Sequence, residues 1–425
     1  MTQAPETLTN NIRRPEVRCT VVANIADANA LRDDWLRLLE RAERSELMQS
    51  PDWLLNWWRV YGGDGGRQLR IALFHEGERL VGMAPLLLRR HWHGGVLPFR
   101  RLELLGSGET AEHGIYSNHL AIIAELGSEH RIAVRFVEAL NAGVFGAWDE
   151  IVLPMMAGDS AMPSMLVEAM LSAGFHADMT TTALARYIPL PSTWDDYLKT
   201  LSKNRRKKRR QSLNDFDAWS GGTTELEAVT CANLERGWQI LIDLHHARWA
   251  GTGVFRSPYF LDFHQALMRG LATRGDLELL ILRARGEPIA AVYNFTWANK
   301  VYTYQSGRRV DLPEHLSPGT VLDTMAIRRA IEQGRREFDL LADDIEYKKA
   351  LTPEARPLVR LRAARPSFLE AIRRLCQSGQ RWLSRERRPM PNPEPLSQMA
   401  SEPLPASPLL FASPTTSTKP VSCAD

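Results

Sequence analysis

The chain has 425 residues, of which 44% are hydrophobic and 24% charged, and a formal net charge of +3. This length exceeds what one hydrophobic core usually organises, so we expect two packed units with some length left over for tails. The net charge is too small to indicate a polyanionic partner by itself, so nucleic-acid binding is not expected on this ground.

The spacing of the cysteines and the length of the apolar runs indicate the cellular compartment. Cys19, Cys231, Cys376 and Cys423 lie far apart, with no CxxC or Cys/His cluster. That spacing is typical of a reducing compartment and predicts neither a disulfide framework nor a zinc site. The polar N-terminus lacks the charged-then-apolar order of a signal peptide, and the longest apolar runs are far short of a membrane span. The sequence therefore predicts a cytoplasmic protein with no integral membrane contact.

The first half of the chain alternates short strands and helices. Residues 1–16 are predicted to be a disordered lead, and a first lobe follows over 17–191. Within it a strand–helix unit precedes a helix that starts at Ser50, an N-cap followed by Pro51 in the first turn. Two strands then form a hairpin around Gly77, and further strands and helices lead to a closing strand.

The second half is predicted to repeat this order of elements in a lobe over 192–365. A long helix over 193–216 is followed by two more helices and by a three-strand meander over 277–306. A basic amphipathic helix at 366–388 and a disordered tail rich in Pro and Ser at 389–425 complete the chain. The predicted fold class is α/β (α+β): two tandem lobes with mixed, largely antiparallel sheets flanked by helices.

A strongly basic segment opens the second half. Seven of the eight residues from 203 to 210 are basic. Helical spacing places Arg205 on the stripe of Leu198 and Leu201, so this cation is expected to point along the packing face. A cation there needs an anion, which a phosphorylated ligand would supply. For most of the run a solvated basic face is the alternative, and no interleaved aromatic stripe supports a nucleic-acid patch.

The end of the meander offers a phosphate cradle. The last strand reaches Gly307 and is followed by Arg308 and Arg309, and a helix then starts at Ser317, with Gly319 in its first turn. Backbone N–H groups at a helix N-terminus, with arginines nearby, favour phosphate binding. The alternative is that Ser317 only caps the helix and Gly307 only turns the chain.

An acidic turn follows the next predicted strand, over 337–341. It carries Asp343 and Asp344, and then come Tyr347 and Lys348. Carboxylates at the C-terminal end of a strand suit general-base work, and a phenol can protonate a departing thiolate. The alternative is that Asp343 or Asp344 is an ordinary helix cap.

Histidines and one polar loop supply further candidates. His245 and His264 could act as bases, but a lone histidine on an apolar helix face is more often packed. The loop over 109–119, which contains His113 and Tyr116, is crowded with polar groups and suits substrate binding. No G-x-S-x-G, Walker or HExxH motif is present, which disfavours the corresponding hydrolase and NTPase mechanisms.

These segments together resemble the CelD-like, FemAB-related acyltransferases of the GNAT superfamily. The resemblance spans roughly 20–362 by motif order and is carried by LHHARW at 244–249, PIAAVY at 288–293, the Ser-Pro-Gly helix start and the FD…YK ending. It implies two GNAT-like lobes with a cleft between them, an acyl donor that is usually acyl-CoA, and a part in cell-envelope or exopolysaccharide production, including cellulose. Two departures are visible: Ser-Gly-Arg-Arg-Val after Gln305 in place of the usual phosphate loop, and Ala342 where relatives tend to carry glycine.

The resulting hypothesis is an acyltransferase that moves an acyl group, expected to be acetyl, from acyl-CoA to an amine or hydroxyl on a small molecule or saccharide. Asp343 or Asp344 would accept the acceptor's proton, and Tyr347 would protonate the thiolate. No metal is expected. The residues expected to hold the cofactor are Arg205, Gly307, Arg308, Arg309, Ser317 and Gly319. The residues expected to contact substrate are Lys348, His264, His113 and Tyr116.

Two other functions stay open. A FemAB-type transferase using aminoacyl-tRNA would grip RNA with the basic run at 203–210, and its tRNA binding would weaken steeply with salt. A non-catalytic partner of a polysaccharide-synthesis machinery is compatible with the altered phosphate loop, and failure to bind any acyl-CoA would favour it.

Overall fold

One mixed sheet organises the part of the chain that this computed structural model describes, residues 16–249, 253–313 and 315–386, with side chains as far as 377. Its strands are β1 (Val17–Val22), β2 (Gln68–Glu76), β3 (Arg79–His93), β4 (Leu97–Leu104), β5 (Ile123–Ala124), β6 (Glu150–Ala157), β7 (His176–Pro189), β8 (Glu225–Ala228), β9 (Leu277–Ala284), β10 (Glu287–Trp297), β11 (Lys300–Arg308), β12 (Glu337–Asp339) and β13 (Ala355–Ala364).

Helices cover both faces of the sheet. They are α1 (Ile25–Ala30), α2 (Arg32–Arg41), α3 (Pro51–Tyr61), α4 (Glu129–Asn141), α5 (Ala161–Ser172), α6 (Trp194–Thr200), α7 (Lys203–Ser220), α8 (Leu234–Trp249), α9 (Pro258–Arg274), α10 (Pro318–Glu332), α11 (Glu346–Leu351) and α12 (Phe368–Glu386). No helix within the described ranges is long and apolar enough to cross a bilayer. The predicted fold class, mixed and largely antiparallel sheet flanked by helices, is confirmed.

The sheet runs without a break from one half of the chain to the other. Its order is β1-β2-β3-β4-β6-β13-β7-β12-β11-β10-β9-β8, with β5 beside β3, and the only parallel pairs in the described residues are β4–β6 and β11–β12. β7 pairs with β12 from the second half, and β13, where the sequence predicted no strand, lies between β6 and β7. The lobe boundaries at 191 and 365 stay a prediction. The predicted lead and tail, apart from residue 16, lie outside the described residues.

The helix predicted over 193–216 is two helices. α6 ends before Leu201, and Ser202 then caps α7, with its Oγ accepting from the Arg205 N–H at 3.4 Å. A new helix start resets the helical phase, so Arg205 does not continue the stripe of Leu198 and Leu201. The buried cation of α7 is Arg209, at 6% exposed, while Arg205 is exposed.

The sheet parts at the end of its short parallel pair. β11 and β12 face each other over only three residue pairs, the last of which is Tyr302 opposite Asp339. β11 then continues to Arg308, whereas the other chain turns away. β11 also carries a bulge at Tyr304, because the facing pairs on either side of it are adjacent in β10 but not in β11. A gap therefore opens beside the second half of β11.

Candidate functional site

A cavity of about 890 Å³ lies at this gap. Its walls are the end of β11, residues 309–313 and 316–317, the first turns of α10, the basic face of α7, Arg248 of α8 and part of α11. We call it the donor cavity. It contains all six residues predicted to bind a cofactor: Arg205, Gly307, Arg308, Arg309, Ser317 and Gly319.

Cations dominate the donor cavity. Arg248, which the sequence analysis did not single out, donates to Ser306 Oγ at 3.0 Å, and burial, followed by the charge of Arg308, lowers its pKa. Arg309 is held at the surface by two hydrogen bonds to Asp311, at 2.9 and 2.5 Å. The positive electrostatic potentials of neighbouring guanidinium groups add, so together these groups favour binding of an anion.

The N-terminus of α10 also favours anion binding. Ser317 precedes the helix but makes no side-chain capping hydrogen bond, and Pro318 fills the first turn, where it has no N–H to lose. The backbone N–H groups of Gly319 and Thr320 are thus left without a serine cap at the cavity wall. Uncapped first-turn donors and the positive end of a fifteen-residue helix favour an anion there.

The two cavity glycines differ in what surrounds them. A Cβ on Gly307 would lie 2.3 Å from the backbone nitrogen of His245 and 2.5 Å from the carbonyl carbon of Leu244. Gly307 is therefore required by the close approach of α8 to β11. A Cβ on Gly319 would meet nothing nearer than Arg308 Cδ, at 3.7 Å.

Asp323 is a cavity residue that the sequence analysis missed. It is half-buried on α10, and burial raises its pKa to about 6, against the lowering effect of Arg209 and Arg248. Arg209 is fixed by a hydrogen bond to Thr324 Oγ1 at 2.6 Å. The available signal was spacing, because Asp323 lies four residues after Gly319 and so shares its helix face.

Tyr347 is the one predicted catalytic residue in the cavity wall. It is 44% exposed, and desolvation raises the pKa of its phenol, with Asp323 as the next cause. A phenol is protonated at neutral pH and can act as a proton donor, and a raised pKa makes it a weaker acid than a free phenol. Tyr347 and Asp323 both line the donor cavity.

The neighbours of Tyr347 are placed differently. Asp344 pairs with Arg186, which is the main cause of its lowered pKa. Lys348 is buried at 7% exposed and donates to the backbone carbonyls of residues 341 and 342. Asp343 is exposed with φ 78°, and its charge contributes to raising the pKa of Tyr347. Asp344 and Lys348 therefore do not line the cavity. The Asp344 side chain pairs with Arg186, and the Lys348 side chain is hydrogen-bonded to backbone carbonyls of the turn.

The predicted substrate residues of the first half and of α9 also lie outside the donor cavity. His264 is fully buried, its Nδ1 lies 3.4 Å from Tyr293 Oη, and burial lowers its pKa. His113 stacks on Tyr259 with ring centroids 4.7 Å apart. Tyr116 is 46% exposed and donates to the carbonyl of residue 111.

A buried ionic network fixes the sheet where it parts. Lys300 Nζ lies 2.6 Å from Glu46 Oε1, and His119 Nε2 lies 3.0 Å from Asp339 Oδ2. Arg356, on β13, is 3.3 Å from the same Asp339 oxygen. The network joins the first half of the chain to β11, β12 and β13.

One group of potential metal ligands occurs among the described residues: His91, His93 and Glu150. Glu150 is already contacted by Arg101 and Arg362, each at 2.7 Å. Two guanidinium groups on the same carboxylate disfavour a cation there.

The residues that line the donor cavity fall almost entirely within a segment that matches a known domain family. Residues 203–349 match the acetyltransferase (GNAT) domain family, so this part of the chain is a GNAT domain, and it spans α7 to α11 with almost the whole cavity. FemX has the same fold at a TM-score of 0.54 and 12% identity, over 82% of this chain and 96% of that one. The resemblance to FemAB-related GNAT proteins is confirmed at the level of domain and fold.

Other solved structures match more distantly. The C-terminal domain (DUF2156) of a putative lysylphosphatidylglycerol synthetase from Agrobacterium fabrum is 13% identical at a TM-score of 0.45, over 85% of this chain and 98% of that one. A tandem GNAT protein from the clavulanic acid biosynthesis pathway is 14% identical at a TM-score of 0.41, over 83% of this chain and all of that one. No curated protein matches the chain.

Proposed function

We propose that this protein is an acyltransferase that takes its acyl group from acyl-CoA, with acetyl-CoA as the expected donor, and transfers it to an amine or hydroxyl. The observation that carries the proposal is the cation-lined donor cavity at an uncapped helix N-terminus, inside a GNAT domain. CoA is a pyrophosphate with a further phosphate on its ribose, so it supplies the anions that these cations and N–H groups lack.

The positions of the cations and of Tyr347 in the cavity suggest an orientation for the bound acyl-CoA. The pyrophosphate would take the N–H groups of Gly319 and Thr320 together with Arg308, and Arg205 at the rim would meet the outer phosphate. The thioester would then lie toward Tyr347. The acceptor atom attacks the thioester carbonyl carbon and loses one proton to solvent, the C–S bond breaks, and Tyr347 gives its proton to the leaving thiolate and regains one from solvent.

The test is donor binding, measured by calorimetry and by thermal shift with acetyl-CoA. Arg308→Ala should weaken acetyl-CoA binding about 10- to 100-fold, since a charge-assisted hydrogen bond is worth about 1.5–3 kcal/mol. Arg309→Ala is the matched control, because Asp311 already holds the Arg309 guanidinium. Equal losses at both positions, or no acetyl-CoA binding by the unmodified protein, would contradict the proposal.

A second candidate donor is aminoacyl-tRNA. One observation favours it: most of the cations of α7 are exposed. The FemX-like fold is compatible with either donor. Tight binding of tRNA that weakens steeply between low and physiological salt, without acetyl-CoA binding, would select it. A role in cell-envelope or exopolysaccharide production, with a saccharide acceptor, is proposed on the family resemblance alone.

A further inference from the structure

The hairpin formed by β3 and β4 is long and basic. Between residues 89 and 101 the sequence carries four arginines, two histidines and no acidic residue. β4 pairs with β6 only from Arg101 onward, so residues 97–100, with the part of β3 that faces them, extend past the first residue of β6. Four residues of a strand span roughly 13 Å. The tip of the hairpin therefore projects beyond the neighbouring strand.

One face of this hairpin places an aromatic ring among arginines. Arg90 lies directly opposite Arg100 in the antiparallel pair, and both are exposed. Trp92 lies directly opposite Pro98, and both of these are exposed as well. Val96, in the turn at the tip, is 73% exposed. Apolar side chains grouped in water, with arginines around them, indicate an interaction surface.

Helix α12 begins with its charged side chains turned inward. Glu370 is buried, and its two oxygens accept hydrogen bonds from Arg362 of β13, at 3.1 and 2.7 Å. Arg373 of the next turn is also buried and donates to the same carboxylate, at 2.7 and 2.6 Å. Phe368 is 80% exposed, and Leu375, two turns later on the same helix face, is exposed too. A surface helix usually packs its apolar side on the protein, so α12 presents the reverse arrangement.

The hairpin tip and the first turn of α12 lie at the same end of the sheet. Arg101 of β4 faces Glu150 of β6, which in turn faces Ala364 of β13. β4 runs parallel to β6 and β13 antiparallel to it, so the hairpin and the chain after Ala364 leave this row of residues in the same direction. The Glu150 carboxylate accepts from Arg101 at 2.7 Å and from Arg362 at 2.8 Å, and Arg362 also binds Glu370. Ion pairs therefore fix the start of α12 relative to the hairpin.

We propose that this end of the molecule is a membrane-binding surface, and that its partner is a lipid bilayer containing anionic lipid. The surface comprises Arg90, Trp92, Val96, Arg100, Phe368 and Leu375. A projecting tip and an outward apolar helix face fit a bilayer, because both enter its interfacial layer without a complementary pocket. Tryptophan favours the depth of the headgroups, and the arginines beside it would meet lipid phosphates.

The charge of the neighbouring chain supports this partner. From residue 371 to residue 388 the sequence carries six arginines and one glutamate. A basic segment beside an apolar helix face is attracted to anionic lipid and much less to neutral lipid. A second copy of the chain would bring the same positive charge to the surface, which disfavours self-association through it.

The binding test uses the full-length protein and vesicles of phosphatidylcholine, with or without phosphatidylglycerol as the anionic lipid. The protein should sediment with the anionic vesicles and only weakly with the neutral ones. Phe368→Ser should weaken this binding about 10-fold or more, since a large apolar side chain no longer leaves water. Leu126→Ser is the matched control and should bind as before, because the exposed Leu126 follows β5 beside Gly82 and Met83, near the other end of β3. Equal losses in both variants, or no binding of anionic vesicles, overturns the proposal.

The insertion test follows tryptophan fluorescence with lipid that is brominated on its acyl chains. Bound vesicles should quench part of the fluorescence, because Trp92 enters the bilayer. Trp92→Phe should lose that part while it still sediments with the vesicles, since the phenyl ring inserts in its place. Unchanged quenching in Trp92→Phe means that the hairpin tip stays in water, which overturns the surface.

The charge test separates this surface from the basic run of α7. Arg90→Ala should weaken binding to anionic vesicles about 5-fold. Lys207→Ala removes an exposed cation of α7 and should change little. A larger loss in Lys207→Ala than in Arg90→Ala would place the bilayer at α7 and overturn the proposal. A dimer in sedimentation velocity that Phe368→Ser dissociates would assign the surface to a second copy of the chain and overturn it as well.

Discussion

At the scale of single residues, Tyr347 and Asp344 are three positions apart but have different surroundings. Tyr347→Phe removes the proposed acid and should lower turnover about 100- to 10,000-fold while acetyl-CoA affinity is nearly kept. Asp344→Asn removes the charge that pairs with Arg186 and Lys349, so we expect a lower melting temperature and unchanged turnover per folded molecule. Melting, donor affinity and turnover should be measured for both. A Tyr347→Phe protein with full turnover would remove Tyr347 from the chemistry.

The two cavity glycines give a second residue-scale prediction. Gly307→Ala should destabilise the protein by several kcal/mol or prevent folding, since its Cβ would overlap the backbone of α8. Gly319→Ala has room and should leave the melting temperature within a few degrees. Thermal unfolding compares them directly. Similar melting temperatures would mean that α8 and β11 do not approach as closely as the structure places them.

The sequence allowed residues of the donor cavity to be predicted, because several of the groups suited to binding phosphate lie close together in the chain. A glycine, two arginines and a helix start within thirteen residues, Gly307 to Gly319, suffice to predict an anion site. Arg248 was missed because only tertiary packing brings α8 to the end of β11, whereas the spacing of Asp323 from Gly319 was visible in the sequence. Lys348 and His264 were assigned to substrate binding because the sequence does not show what a side chain contacts. Lys348 is hydrogen-bonded to backbone carbonyls, and His264 is buried among aromatic rings.

At the scale of elements, the new helix start at Ser202 determines which cations of α7 line the donor cavity. Arg205 lies in the cavity wall, whereas Lys207 is exposed outside it. Arg205→Ala should therefore weaken acetyl-CoA binding several-fold, and Lys207→Ala should have little effect. Titration calorimetry at two salt concentrations separates them. Equal losses would indicate a diffuse electrostatic surface and would favour the tRNA alternative.

The strands and helices themselves were largely predictable, because period-2 and period-3.6 patterns are local. The break in the 193–216 helix was not predicted, since apolar spacing continues across Leu201 and only the capping by Ser202 interrupts it. β13 was missed for a different reason: its partners, β6 and β7, are remote in sequence. Its alternating arginines also hide a buried strand, because Arg356 and Arg362 are paired inside the sheet.

At the scale of the whole molecule, the ionic network at Glu46 ties the two halves together and makes stability depend on pH. Burial raises the pKa of Glu46, but Lys300 and His119 outweigh it, so the net shift is downward. A lowered carboxyl pKa gives stability that is present above the unfolded value of about 4.3 and is lost as pH falls through the folded value.

Glu46→Gln tests this contribution. At neutral pH it should cost about 3–5 kcal/mol of unfolding free energy, since the buried Lys300 loses its nearer carboxylate and keeps only Glu337, at 3.9 Å. The difference from the unmodified protein should shrink as pH falls below about 4. Urea unfolding at a series of pH values measures it. A difference that stays constant down to acid pH would mean that Glu46 is not ionised in the folded protein.

The position of β13 has a consequence for how the protein is made. A ribosome delivers β6 and β7 first, then everything from α6 to α11, and only afterwards the strand that pairs with both. Until then the first half carries two strands with open edges, which invite pairing with other chains. Completion of the sheet around β13 is therefore a late event, and a nascent chain stalled before residue 355 exposes the edges that the finished protein hides.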